Sequence, residues 1–336
     1  MRKSPVTITD IAKNLNISPS TVSRALRNHP DISTRTKKRV NSLAEEMDYH
    51  PDSIAQSLKQ RRTNLIGVIV PEIKHNFFSA AISGIEEIAY KAGYAIIVSQ
   101  SNESYDRERI NVRALISNRV AGLLISISQT TEQSDHFKLL ERQEIPFVFF
   151  DRVCEDIEAS KVVVDDFDGA FKAVEYLINS GYKRIAHIAG PKHLSISQCR
   201  LNGYLSALKK HKISYDENLV VYGGLNEEDG VKGFHRLLQL DQLPDALFAV
   251  NDPVAIGAFE KIKEHGFKIP EDIALIGFSN NPITRLIEPS LTTVSQPAYE
   301  VGKRAAELLI EQIKSGENFI PRKEMLKTEL IIRNST

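Results

Sequence analysis

The sequence predicts two structural parts, an all-α segment of about fifty residues and a larger α/β body that follows it. Three observations support this expectation. The front segment holds three short stretches with helical apolar spacing, each preceded by a capping residue. After residue 63, β-branched runs alternate with amphipathic stretches of helical length, a pattern typical of mainly parallel sheets. These strand-like runs are numerous enough to indicate two lobes.

Composition bounds the class of protein. Of the 336 residues, 42% are hydrophobic and 26% are charged, so we expect a sizeable core and more than one folding unit. The two cysteines, Cys154 and Cys199, are far apart and lack histidines at metal-ligand spacing, so no disulfide framework, metal or cofactor is expected. The sequence shows neither a signal-peptide pattern nor a run of about 18 apolar residues, which favours a cytoplasmic protein.

Charge is distributed unevenly along the chain. Residues 1–62 hold 12 Lys and Arg against 6 Asp and Glu, whereas the remainder holds 31 against 37. A basic front on an acidic body suits a protein that binds nucleic-acid phosphates at one end only. A solvated basic face is the alternative interpretation.

The front segment is predicted to contain a helix-turn-helix. Thr7 and Asp10 resemble a capping pair for the first helix, and Ser18 and Pro19 suit the start of a second helix directly after a tight turn. Ser33 suits the cap of a third helix. In a helix-turn-helix the second helix lies in the major groove. Its outward face here carries Ser20, Thr21, Ser23 and Arg24.

Residues 50–62 form a short segment with helical apolar spacing. An isolated helix of about nine residues is marginal in water, so this piece should be ordered only when a partner such as DNA holds it. Leu58 could wedge between base pairs from the minor groove while Lys59 and Arg61 meet phosphates. A plain linker is the alternative.

Motifs along the whole chain resemble the lactose-repressor (LacI/GalR) family. The matching positions are Val6-Thr7-Ile8-Thr9-Asp10-Ile11-Ala12, Ser18-x-x-Thr21-Val22-Ser23-Arg24-Ala25-Leu26, Tyr49-x-Pro51 to Leu58-Lys59, Leu65-Ile66-Gly67-Val68-Ile69-Val70-Pro71, Ala89-x-x-x-Gly93-Tyr94, Val120-x-Gly122-Leu123-Leu124, Phe150-Asp151-Arg152, Ile188-x-Gly190-Pro191, Arg200-x-x-Gly203-Tyr204, Asn251-Asp252-x-x-Ala255-x-Gly257 and Leu291-Thr292-Thr293-Val294. A chance helix-turn-helix match is common, but this ordered series is highly specific.

The resemblance implies a domain plan and a set of DNA contacts. It implies a helix-turn-helix domain at 1–49, a hinge at 50–62 and a two-lobed, periplasmic-binding-protein-like (type I) effector domain at 63–336. The first lobe would comprise about 63–161 and 296–322, and the second about 162–292 and 323–336. The implied DNA contacts are Thr7, Ser18, Pro19, Ser20, Thr21, Ser23, Arg24, Asn28, Ser33, Tyr49, Ser53, Ala55, Gln56, Leu58 and Lys59.

The body supports this plan on its own, because strand-like runs recur along it. Open α/β sheets bind ligands beyond the carboxyl ends of their strands, and the resemblance places a small-molecule effector between the lobes. The strands are predicted at 65–70, 94–99, 122–127, 147–150, 161–164, 184–188, 246–250, 273–277 and 291–294. The resemblance adds a helix from 297 to 313 that returns to the first lobe.

Eight cleft residues are implied as effector contacts: Phe77, Phe78, Asp151, Arg152, Arg200, Asn251, Asp252 and Ser279. Polar groups and aromatic walls together suit a hydroxylated ligand such as a sugar. The phenylalanine pair could instead belong to the core, and Asn251 and Asp252 could cap the following helix.

One departure from the family bears on the ligand. Many sugar-responsive relatives have Gly-Phe-Asp-Asp where this chain has Gly277-Phe278-Ser279-Asn280-Asn281, so one carboxylate is missing. With Arg200, Lys192 and His193 remaining, we expect a sugar acid or sugar phosphate. Leu194 and Leu225 stand where purine-responsive relatives carry arginine and aromatic contacts, which makes a purine less suitable.

These observations predict a homodimeric transcriptional repressor of carbohydrate-utilisation genes that binds a near-palindromic operator and is controlled by a small effector through linkage between two sites. A solute-binding protein without a DNA role is the alternative, but it would have no use for residues 1–62. An enzyme is not expected, because the sequence lacks the phosphate-loop, nucleophile-elbow, metalloprotease and dinucleotide motifs.

Overall fold

The computed structural model describes residues 6–49 and 63–336. The chain divides into two compact units, Met1–Thr63 and Asn64–Thr336. No helix within the described ranges is long and apolar enough to span a membrane. The predicted contacts of Ser53, Ala55, Gln56, Leu58 and Lys59, and that of Arg61, lie outside the described residues.

The front unit contains three helices, α1 (Ile8–Leu15), α2 (Pro19–Leu26) and α3 (Thr34–Glu46). Local chemistry sets where each begins. The Thr7 backbone N–H and hydroxyl both donate to the Asp10 carboxylate, at 2.9 and 2.7 Å. Ser18 Oγ accepts the Thr21 N–H at 3.1 Å, and Ser33 caps α3 in the same way. The expected caps are therefore confirmed.

A small apolar core holds these helices together. Each helix contributes fully buried side chains at helical spacing, and the tight turn between α1 and α2 contains Asn16 in the left-handed region, with φ of 54°. The buried core residues of this unit are Ile11, Ala12, Val22, Ala25, Val40 and Ala44. The outer face of α2 does not pack in this core.

The first lobe is a six-stranded sheet with helices on both faces. Its strand order is β11-β5-β4-β3-β1-β2, where β11 is the segment Lys323–Leu326 near the end of the chain, and the pairings within it are parallel. Its elements up to the first crossing are β1 (Leu65–Val70), α4 (Asn76–Lys91), β2 (Ala95–Gln100), α5 (Tyr105–Ser117), β3 (Gly122–Ile125), α6 (Asp135–Arg142), β4 (Phe147–Phe150) and β5 (Ser160–Val164).

The second lobe repeats this arrangement in the order β12-β10-β9-β8-β6-β7, with only the β10–β12 pair antiparallel among its described strands. Its elements are α7 (Asp166–Asn179), β6 (Ile185–Ala189), α8 (Ser195–Lys210), β7 (Val220–Tyr222), α9 (Glu227–Leu237), β8 (Ala246–Ala249), α10 (Asp252–Glu264), β9 (Ala274–Ser279), β10 (Thr292–Ser295) and, near the end of the chain, β12 (Glu329–Ile331).

The chain crosses between the lobes three times. It leaves the first lobe after β5, returns after β10 through α11 (Ala298–Ser315) and β11 (Lys323–Leu326), and ends in the second lobe with β12. The first and third crossings lie a few residues after the expected boundaries at 161/162 and 322/323, because β5 and β11 pair with each other in the first sheet. Strands β7, β11 and β12 were not predicted, since they are short sheet-edge or partly exposed segments with weak apolar patterning.

Helix α4 brings the phenylalanine pair to the cleft and is held by close packing against α11. A Cβ added at Gly84 would lie 2.1 Å from the Tyr299 carbonyl oxygen, and one at Gly302 would lie 2.0 Å from that of Ala81. Only glycine allows the two helix backbones to approach this closely. The start of α4 is thereby fixed relative to the crossing that follows β10.

Candidate DNA-binding surface and effector cleft

The DNA-facing residues predicted on α2 lie on a mostly exposed surface. Pro19, Ser20 and Arg24 are exposed, whereas Thr21 and Ser23 are half-buried. The Ser18 hydroxyl lies 2.7 Å from that of Ser20 and 2.8 Å from that of Thr21. The start of α2 therefore presents a cluster of hydroxyls followed by one guanidinium group, a set that can bond base edges and phosphates.

The remaining predicted front contacts have local structural roles as well. Thr7 and Ser33 are exposed cap residues, and Asn28 is exposed at a left-handed φ of 55°. The Asn28 carbonyl oxygen accepts a bond from Lys37 Nζ at 3.2 Å. Tyr49 is half-buried and packs against the front core. These residues lie where a helix or turn ends, and each keeps polar atoms near the surface.

A cavity lies between the lobes. It brings together seven of the eight predicted effector contacts with seven residues that the sequence analysis did not select. The predicted residues are Phe77, Phe78, Asp151, Arg152, Arg200, Asn251 and Ser279, and the additional ones are His75, Asn76, Ile196, Leu225, Pro253, Asn281 and Gln296. Both lobes and the crossing after β10 line this cavity.

Asp151 follows β4 directly and occupies the left-handed region, with φ of 59°. Its residue exposure is 9%, and burial raises the pKa of its carboxyl group to about 6, against a lowering contribution from Arg152. The carboxylate can accept hydrogen bonds from ligand hydroxyls. Strained backbone at such a position is common where a side chain is aimed at a ligand.

Arg152 is paired within the first lobe. Its Nη1 donates to both oxygens of the Glu103 carboxylate, at 2.8 and 2.9 Å, and its guanidinium carbon lies 5.5 Å from the centroid of the Phe78 ring. Within the described residues, Arg152 Nε is buried without a hydrogen-bond partner. This donor beside the cavity could bond a ligand acceptor. Phe78 is 3% exposed, so it belongs to the core and lines the cavity at once.

Arg200 is paired within the second lobe. Its Nε and Nη2 donate to Asp166 Oδ1 at 2.8 and 2.6 Å, and Nη1 donates to the Val250 carbonyl oxygen at 2.6 Å. The guanidinium carbon lies 3.8 Å from the centroid of the Phe278 ring. Arg200 is 2% exposed and its charge is balanced by Asp166. It therefore forms a fixed part of the cavity wall without a net charge.

Asn251 both lines the cavity and caps α10, because its Oδ1 accepts the Val254 N–H at 2.9 Å. The expected alternative of a capping role is thus realised. Asp252 lies outside the cavity lining and is fully buried. Its carboxylate accepts the Thr293 hydroxyl and the Asn281 N–H, both at 2.6 Å, and burial raises its pKa to about 6. Asp252 therefore positions the loop after β9.

Ser279, the last residue of β9, has a φ of 123°, and Asn280, which begins that loop, has a φ of 54°. Ser279 Oγ donates to Gln296 Oε1 at 2.9 Å. Gln296 Nε2 is buried at the cavity and has no hydrogen-bond partner among the described residues. A ligand acceptor could bond this amide. The sequence analysis did not identify Gln296 as a cavity residue. Gln296 lies in the crossing after β10, and the position of that crossing is set only when the two lobes are assembled.

The basic groups expected to attract an acidic ligand are either paired or outside the cavity. Arg152 and Arg200 each bind a carboxylate, and neither Lys192 nor His193 lines the cavity. Asp151 adds a further carboxylate to the cavity. The structure therefore removes the basis for expecting a sugar acid or sugar phosphate, and the cavity suits an uncharged ligand.

Comparison with known proteins identifies both parts of the chain. The family described as bacterial regulatory proteins, lacI family, matches residues 7–52, and a periplasmic binding protein-like domain matches residues 174–336. The HTH-type transcriptional repressor CytR of Escherichia coli K12 is 35% identical over 100% of this chain and 97% of its own. The repressor PurR of Vibrio atlanticus is 35% identical over 93% of each chain.

Solved structures agree over nearly the full length. The Lac repressor dimer bound to operator and the anti-inducer ONPF has a TM-score of 0.86 and 25% identity, covering 99% of each chain. The transcriptional regulator CelR in complex with cellobiose has a TM-score of 0.76 and 27% identity, covering 98% of this chain and 100% of its own. The chain therefore belongs to the lacI family of bacterial regulatory proteins and is a DNA-binding transcriptional repressor.

Proposed function

We propose that the protein acts in the cytoplasm as a homodimer that represses carbohydrate-utilisation genes from a near-palindromic operator, and that an uncharged, hydroxylated effector in the cleft changes its operator affinity. The observation that carries this proposal is the combination of an exposed, hydroxyl-rich α2 with a polar, charge-balanced cavity in one chain. Both functions are binding functions and require no reaction.

On the DNA side, Arg24 would read a guanine, since a guanidinium group matches the two acceptors on that base. Ser20, Thr21 and Ser23 would bond neighbouring base edges or phosphates. The Lac repressor dimer bound to operator supports the paired arrangement, because two-fold symmetry in the protein requires two half-sites in the DNA.

On the effector side, Asp151, Asn251 and Gln296 supply acceptors and donors for hydroxyl groups, while Phe77 and Phe78 supply an aromatic wall. The complex of CelR with cellobiose supports a sugar as the first class to test. An effector shifts operator affinity only if it binds one arrangement of the lobes more tightly than the other.

The test is selection of bound duplexes from a random DNA pool by the purified protein, repeated with neutral sugars, nucleosides, purines, sugar acids and sugar phosphates. We expect a palindrome whose recovery changes with one uncharged compound. Enrichment of no sequence under any condition would contradict the DNA role and favour a solute-binding protein. A response confined to acidic compounds would contradict the assigned ligand class.

A further inference from the structure

A hydrogen bond joins the two lobes directly, away from the three crossings. His193, in the loop between β6 and α8 of the second lobe, donates from Nε2 to the Gln129 carbonyl oxygen of the first lobe at 2.7 Å. The same imidazole lies 3.8 Å from the Glu132 carboxylate through Nδ1. Its side chain is 32% exposed. This contact spans the mouth of the cleft.

The first-lobe side of the contact is a rigid loop, residues 126–131. Glu108, which is fully buried, accepts the Ser128 N–H at 2.6 Å and the Thr131 hydroxyl at 3.0 Å. His136 Nε2 lies 2.8 Å from the same carboxylate. A buried carboxylate with several partners fixes the backbone around it. The Gln129 carbonyl is therefore held in place for the second lobe to meet.

The loop is also tied to the effector cavity. Gln129 donates its backbone N–H to Glu103 Oε2 at 2.7 Å, and Glu103 is the carboxylate that binds Arg152. Glu103 itself sits at a left-handed φ of 55°. A ligand that bonds Arg152 Nε acts on a guanidinium group two contacts away from the lobe-to-lobe bond. One continuous series of polar contacts thus joins the cavity to the cleft mouth.

We propose that His193 and loop 126–131 form a latch that favours closed lobes, and that Arg152 and Glu103 connect the latch to the effector cavity. This inference rests on the proposed effector role of the cleft for its biological meaning. The latch itself is a property of the protein without DNA or effector, so it can be tested when neither partner is known.

The test measures lobe closure by intramolecular cross-linking. Lys74 and Glu228 line opposite sides of one opening of the cleft, and their side chains are 66% and 82% exposed. Both are replaced by cysteine in full-length protein that carries Cys154→Ser and Cys199→Ser. A short bismaleimide then joins the lobes, and denaturing electrophoresis with mass spectrometry separates links within one chain from links between chains.

His193→Ala should lower the intramolecular cross-linking rate by about two- to tenfold, the range expected for loss of one hydrogen bond. His193→Gln, which can donate from an amide at similar reach, should restore part of the rate. The matched control is His211→Ala, because His211 Nε2 makes a 2.9 Å bond to Glu175 within the second lobe. An unchanged rate in His193→Ala, or an equal fall in His211→Ala, would overturn the latch.

The connection to the cavity is tested by a double-mutant cycle with Glu103→Ala. If Glu103 acts through the latch, its variant lowers the rate, and the double variant with His193→Ala is no slower than the slower single variant. Multiplied effects, or no effect of Glu103→Ala in protein with an unchanged circular dichroism spectrum, would overturn the connection. These outcomes do not depend on operator or effector binding, so they stand apart from a failure of the proposed function.

Discussion

The front unit and the body place their functional side chains in opposite ways. In the front unit, Arg24 and Ser20 stand exposed on a helix of eight residues over a small core. In the body, Arg200 and Arg152 are 2% and 5% exposed and bind carboxylates 34 and 49 positions away in the sequence. Front residues can therefore change with little effect on folding, whereas the arginines of the body serve the cavity and the fold together.

The largest expected effect comes from Arg200→Ala. It leaves the Asp166 carboxylate buried without its partner, so the free energy of unfolding of residues 64–336 should fall by roughly 3–5 kcal/mol. Urea denaturation of the full chain measures it. Arg109→Ala is the control, because Arg109 is 41% exposed and pairs with Asp106 at the surface. Similar losses in both variants would remove the contrast between buried and exposed arginines.

Arg24→Ala should affect binding without affecting stability. We expect a loss of roughly 1–3 kcal/mol of operator binding that is concentrated at one base pair of each half-site. Lys37→Ala is the comparison, because we predict that Lys37, whose Nζ donates to the carbonyl oxygen of Asn28, also contacts a DNA phosphate. Loss of a phosphate contact should weaken binding to all sequences alike and lower the salt slope by about 1. Titration of single-base operator variants at several salt concentrations distinguishes the two. Equal, uniform losses from both substitutions would contradict the assigned roles.

We expect Asp151→Asn to raise the free energy of unfolding at neutral pH, because the buried Asp151 carboxyl destabilises the folded protein there. The pKa of the Asp151 carboxyl is raised to about 6 in the folded protein, so the folded state binds the proton more tightly than the unfolded state. Stability from this group is present at pH 4 and is lost as pH rises through 6. The variant should therefore gain about 2–3 kcal/mol at pH 7, little at pH 4, and lose effector binding.

Thermal unfolding at the two pH values measures this prediction. Asp168→Asn serves as the control, because the Asp168 side chain is 39% exposed and pairs with Lys172 at the surface of α7. A gain for Asp151→Asn that does not change with pH would contradict the proposed cause.

Ser33→Ala should have the smallest effect, and only in the front unit. It removes the oxygen that accepts the Thr36 N–H at 3.2 Å, which costs about 1 kcal/mol for a typical cap. Hydrogen exchange of the full chain should show faster exchange in α3 and unchanged protection in the sheets of the body. Faster exchange in both units would show that they unfold together.

Local patterns predicted the front unit well, because caps, turns and apolar spacing act within a few residues. The family resemblance implied Arg200 and Arg152 as cleft residues but not Asp166 or Glu103, since nothing in the sequence marks two distant residues as partners. That omission led to the expectation of an acidic ligand. The order in which the chain crosses between the lobes was implied by the family resemblance. Strands β7, β11 and β12 were not predicted because short, partly exposed strands carry little apolar alternation.

Because segments near the end of the chain complete the sheets of both lobes, the parts of the protein can fold in a definite order during synthesis. Among the described residues, the core of the front unit includes nothing beyond Tyr49, so this unit can fold while the ribosome is still making the body. The first sheet, by contrast, gains its edge strand only when Lys323–Leu326 has emerged, and the second waits for Glu329–Ile331. A nascent chain can thus fold the helix that reads the DNA groove first, and it completes the two lobes that bind the effector last.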